Sequence, residues 1–146
     1  MRFAYGVIAL LLASCANTGG DSLLVEPRSE EISPDGTLRD PVGIETLGGV
    51  FTPLLAKGCK LPCAVSQTFS TAEDGQGHIL IHLFRGEVAL AKSAHSLGTF
   101  QISGIAPMPR GEPSILVELK ADQDGITLKA TDRHGKSRLS LTRVAP

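Results

Sequence analysis

Beyond Pro41 the chain alternates short apolar runs, rich in β-branched residues, with Gly, Pro and polar breaks spaced roughly 8–12 residues apart, the rhythm of a β-sandwich. This pattern predicts strands near 42–46, 50–56, 66–71, 78–84, 98–102, 115–120, 126–131 and 138–142. The stretch 78–84 shows the period most clearly. Successive strand side chains point to opposite faces, so Ile79, Ile81 and Leu83 share an inner face while His78, Leu80 and His82 share the other. Segment 87–96 has too few apolar residues to dock a long helix and is expected to make a turn of helix at most. Gly75, Gly125 and Gly135 follow polar residues where tight turns need a positive φ. Pro53 removes a ladder donor from the second strand, which therefore belongs at a sheet edge or at a bulge. The fold class is all-β, a two-layer antiparallel sandwich of about eight strands.

Ahead of this module the texture is different. Met1-Arg2 opens a run, Phe3 to Leu12, that is uncharged and apolar and ends at Ala13-Ser14-Cys15. A membrane-spanning helix needs about 20 apolar residues, so the run reads as a signal peptide. From Ala16 to Pro41 the chain is rich in Gly, Pro, Ser and charge, with Leu23-Leu24-Val25 as its one apolar cluster, and reads as a flexible linker. The expected organisation is a signal peptide over 1–14, a flexible tether over 15–40 and a β-sandwich domain over 41–146.

Composition narrows the partners. With 14 basic and 15 acidic residues the formal charge is −1, which gives no overall field for nucleic acid or for anionic lipid. The chain has no Trp, one Tyr and five Phe, so its core must be aliphatic. No G-x-x-x-x-G-K phosphate loop and no G-x-S-x-G element occurs. His78 and His82, four apart on a strand, stand roughly 13 Å apart and do not share a metal ion. We expect no enzyme activity, cofactor, metal or nucleotide.

Leu12-Ala13-Ser14-Cys15 resembles the bacterial lipobox, in which small residues admit a peptidase to the bond before an acylated cysteine. The resemblance implies that Cys15 becomes a lipid-bearing N-terminus in the cell envelope, facing the periplasm, and Ala16 in place of Asp favours the outer membrane. The alternative is a secreted soluble protein in which Cys15 has no such role.

Residues 43–57, G-I-E-T-L-G-G-V-F-T-P-L-L-A-K, resemble the opening of the substrate-binding β-domain of DnaK-type heat-shock chaperones. The resemblance continues through Ser66-Gln67, Phe69 to Asp74, Ile81-His82, Arg85-Gly86-Glu87, Ser96-Leu97-Gly98, Gly104-Ile105, Pro107, Pro109-Arg110-Gly111 and Asp124-Gly125-Ile126, in order and near the family's spacing. The family's ATPase domain and helical lid have no counterpart in these residues. Positions matching Lys57 and Asp124 face the ATPase in the family, and that matching Arg110 helps latch the lid, so all three are expected to be relics here.

The resemblance implies a groove that holds an extended peptide by its backbone and buries one apolar side chain. Its pocket would be lined by Ile44, Phe69, Ile79 and Ile81 and arched over by Leu47 and Ala72, with Thr46, Ser70 and Thr71 on the hydrogen-bonding backbone. The alternative is that these residues are ordinary core. Leu47 stands where the family commonly carries the more adaptable Met. The same matching puts Cys59 and Cys63 in the turn between the second and third strands, where a disulfide and two free thiols both remain open. The expected function is membrane-anchored, ATP-independent binding of unfolded or extended hydrophobic polypeptide. The alternative is a structural or protein-interaction lipoprotein that keeps the sandwich without the groove.

Overall fold

The computed structural model describes residues 20–27 and 32–145. The leader, Cys15 and residues 16–19 and 28–31 of the expected tether lie outside the described residues. Among the described residues nine strands form two sheets: β1 (Gly20–Pro27), β2 (Val42–Thr46), β3 (Val50–Leu55), β4 (Cys63–Phe69), β5 (His78–Arg85), β6 (His95–Ser103), β7 (Ile115–Asp122), β8 (Gly125–Asp132) and β9 (Ser140–Ala145). One sheet runs β1-β8-β7-β4 and the other β3-β2-β5-β6-β9. Every pairing is antiparallel. A single 3-10 turn, Ala91–Ser93, occupies the segment expected to hold at most one turn of helix.

Alternation builds the core. Ile79, Ile81 and Leu83 of β5 pack inward against Ile115, Val117 and Leu119 of β7 and Ile126, Leu128 and Ala130 of β8, all buried. Phe100 is fully buried and is the only aromatic among the buried residues of this main cluster; the rest is aliphatic. A second, smaller cluster of Phe51, Phe84 and Ala91 lies apart from it. There Ala91 N donates to Gly49 O and Phe51 N to Ala89 O, so the outer edge of β3 is covered by its own chain. β3 is an edge strand of its sheet, and the register slips between Leu55 and Pro53 opposite Val42 and Gly43, so Pro53 sits at both an edge and a bulge.

The tether reading needs correction from Gly20 onward. β1 pairs with β8 along almost its whole length, and Val25 is buried while Leu24 is half exposed, the signature of a one-sided strand. Asp21 and Arg143 fasten it to the opposite sheet: Leu141 N donates to Asp21 Oδ2 at 2.7 Å, and the Arg143 guanidinium donates to Val25 O and, at 3.0 Å, to Leu97 O. Residues 34–41 are not free either. Leu38 is 1% exposed, and its backbone bonds to Cys59 and Gly58. Leu23-Leu24-Val25 is too short a cluster to stand out in a polar segment, yet one inward Val and a waiting edge suffice for a strand. The ordered module therefore begins before residue 41.

Candidate functional site

The site grows from the β2–β3 hairpin. Thr46 O accepts from Gly49 N, and Gly48 and Gly49 take φ values of 84° and 71°, a conformation that only glycine adopts without strain. The turn lifts Leu47 clear of the sandwich, and its side chain is completely exposed. The leucine at the tip of this braced hairpin takes no part in the core. Below it, Thr46 Oγ1 lies 2.9 Å from Thr52 Oγ1 and ties the hairpin's two strands together.

An open groove of about 850 Å³ lies at this tip, lined by Ile44, Glu45, Thr46, Leu47 and the two glycines of the β2–β3 hairpin, by Leu80, His82 and Thr99 of β5 and β6 in the same sheet, and by Phe69 of β4 in the other. Its walls are mainly apolar, and its size falls within the usual range for binding clefts, ~300–1,000 Å³. Glu45 and His82 are its charged or titratable groups. His82 Nδ1 lies 3.4 Å from Glu45 Oε2 and Nε2 lies 3.1 Å from Ser96 Oγ, so the ring is held in place on both sides. Its ring also lies 4.1 Å from that of Phe84, tilted by 41°. Leu47 and Phe69 border the same opening without closing it.

Of the residues expected at the pocket, the structure brings Ile44, Thr46, Leu47 and Phe69 to this groove. Ile79 and Ile81 are not part of its lining. They are buried on the inner face of β5, in the same core cluster as Ile44, while Leu80 and His82 of the outer face border the opening. The two-residue strand period sets these two pairs on opposite faces of β5. Ala72 is exposed, and Ser70 is exposed beside it. Thr71 is buried, and its carbonyl accepts from Gly111 N at 3.0 Å.

The loop bearing Ala72 is braced rather than loose. Gln76 Oε1 accepts from Ala72 N and Glu73 N while Gln76 Nε2 donates to His78 O. Gly75 N donates to Met108 O, and Arg110 N donates to Asp74 Oδ1. Sequence reading missed Gln76, Asp74, Leu80, His82 and Thr99 at this site. Leu80 and His82 were readable as the outer face of 78–84; Gln76 had no pattern to reveal it.

Cys59 and Cys63 are joined in a disulfide that closes the turn between β3 and β4. Lys57 Nζ pairs with Glu87 Oε2 at 3.0 Å on the surface, and Asp124 N donates to Asp122 Oδ1. Among the described residues no cluster of three or more His, Cys, Asp or Glu side chains is disposed to hold a metal, and no helix is long and apolar enough to cross a membrane.

The family model described as Hsp70 protein matches residues 34–143. The chain belongs to the Hsp70 family. It is 46% identical over 104 residues to the chaperone protein dnaK1 of Synechococcus elongatus and 43% identical over 102 residues to the chaperone protein dnaK of Cyanophora paradoxa. These alignments cover 70% and 69% of this chain but 16% of each relative, so the chain spans about one sixth of the chaperones it matches. The matched region is the family's substrate-binding β-domain. β1 lies ahead of the match, a strand added to the part that carries the family likeness.

Proposed function

We propose that this protein is a membrane-anchored, ATP-independent binder of extended hydrophobic polypeptide segments. The observation that carries this reading is the open groove between a fully exposed Leu47 and Phe69, on a domain homologous to the one with which Hsp70 chaperones bind polypeptides. An apolar client side chain enters beside Phe69 and Ile44 under Leu47, while the backbone of Thr46, Ser70 and Thr71 offers hydrogen bonds to the stretched chain.

The energies predict weak, fast-exchanging binding. Burying one leucine contributes about 1.5–3 kcal/mol, and each backbone hydrogen bond adds roughly 0.5–1.5 kcal/mol net. Ordering each client residue costs about 1–2 kcal/mol. The near cancellation places the affinity around micromolar or weaker. Lipid attachment at Cys15 to an envelope membrane would concentrate many copies on one surface and offset that weakness by multivalency.

Aggregation of a heat-denatured client tests the proposal. Vesicles bearing the lipidated protein should slow light scattering equally with and without ATP, and the Leu47→Asp variant on the same vesicles should not. Suppression that depends on ATP, or that survives Leu47→Asp, would overturn it.

A further inference from the structure

We propose that the groove end of the sandwich faces the bilayer at close range, so that its clients are extended segments lying on or emerging at the membrane surface. This rests on the reading of Cys15 as a lipid anchor and adds to it a direction. The direction comes from the register of β1. Gly20 pairs with Thr131 of β8, Thr131 with Leu116 of β7, and Leu116 with Thr68 of β4, the neighbour of the groove residue Phe69. One row across the sheet thus joins the point where β1 begins to the groove wall. At about 4.8 Å per strand, three steps span roughly 14 Å.

The opposite sheet agrees. Asp21 Oδ2 accepts from Leu141 N; Leu141 pairs with Ile102, and Ile102 with Ile79, at the end of β5 that leads into the loop bearing Ala72. β1 then runs away from this end to Pro27, opposite Gly125 in the β7–β8 turn. Its eight residues cover roughly 26 Å.

Cys15 stands five positions ahead of Gly20. Even fully extended, five residues reach only about 17 Å. A lipid on Cys15 therefore holds the groove end within that distance of the headgroups and leaves the β7–β8 turn pointing outward. Had β1 entered from its other end, the groove would open away from the membrane.

Local charge at the entry point fits the same orientation. The β8–β9 loop, which follows Thr131 beside the entry point, carries exposed Arg133, Lys136 and Arg138, whereas the outward end mixes Asp122 and Asp124 with exposed Lys57, Lys60 and Lys92. The β4–β5 and β6–β7 loops on the groove side hold Arg110 against Glu73, Asp74 and Glu112, so the basic loop is the one at the tether. Anionic headgroups attract such a loop over a Debye length of ~8–10 Å.

Energy transfer decides it. The full chain, recovered from the membranes of the expressing cells, is labelled at Glu73→Cys or at Gln123→Cys, both exposed loop positions, and reconstituted in vesicles containing an acceptor-headgroup lipid. The donor at position 73 should transfer at least twofold more efficiently than that at 123, and a 20-residue Gly/Ser spacer inserted before Gly20 should erase the difference. Vesicle-bound protein with equal transfer from both positions, or more from 123, overturns the orientation alone. Protein that does not float with the vesicles overturns the anchor and the orientation with it.

Discussion

Asp132 is a buried carboxylate whose oxygens accept from the backbone of His134, Lys136 and Ser137 at 2.8–3.1 Å. Burial by itself raises its pKa, but the Ser137 hydroxyl and these N–H groups outweigh it, and the carboxyl titrates below its ordinary value of 3.8. A lowered folded-state pKa adds stability that is fully present above about 3.8 and is lost as the pH falls through the folded value. Asp132→Asn turns an amide N–H toward N–H donors and should cost about 2 kcal/mol at neutral pH. In urea titrations the gap between variant and wild type should close as the pH drops below about 4. Gly43 is constrained differently: a Cβ there would meet Thr52 O at 2.1 Å, in the bulge between β2 and β3. Gly43→Ala should therefore lower the unfolding free energy by about 3 kcal/mol and broaden the signals of the hairpin carrying Leu47. Neither demand was legible in the sequence, where Gly43 read as a family match and Asp132 gave no signal. Both depend on which backbone atoms happen to converge.

At the scale of elements, the eight expected strands are all present within a few residues of their expected bounds, because each alternates against a single core and ends at a Gly or Pro break. β1 was not legible for the opposite reason. Its one buried side chain, Val25, gives almost no periodic signal, and its place is fixed by contacts more than a hundred positions away, from Asp21 to Leu141 and from Val25 to Arg143. Arg143 also lies 5.0 Å from the Phe100 ring centroid, so one side chain joins β1, β6 and β9. Arg143→Gln should reduce stability by about 2 kcal/mol in urea and should speed amide exchange in β1 ahead of the other strands. The Cys59–Cys63 disulfide closes a loop of sequence separation 4. Replacing both cysteines by Ala should cost about 2 kcal/mol while leaving the groove's peptide affinity unchanged.

For the whole molecule, the site was legible only through the strand period and the family likeness. Ile44, Thr46, Leu47 and Phe69 border the opening, and Ile44 is at the same time a buried member of the core cluster that holds Ile79 and Ile81. An Ile81→Asp substitution would bury a charge and unfold the domain, and so would say nothing about binding. Leu47 offers the cleaner probe, because a fully exposed side chain can be changed with little effect on the fold. The central claim is that the opening under Leu47 takes up an apolar side chain of an extended peptide. Its most direct test is a fluorescence-anisotropy titration of a Leu-centred peptide against wild type and Leu47→Asp, with a Ser-centred peptide as control. The account predicts saturable binding of the leucine peptide around micromolar or weaker, at least tenfold poorer binding by the variant at equal thermal stability, and none of the serine peptide. Equal binding by wild type and variant, or no preference for leucine over serine, would contradict it.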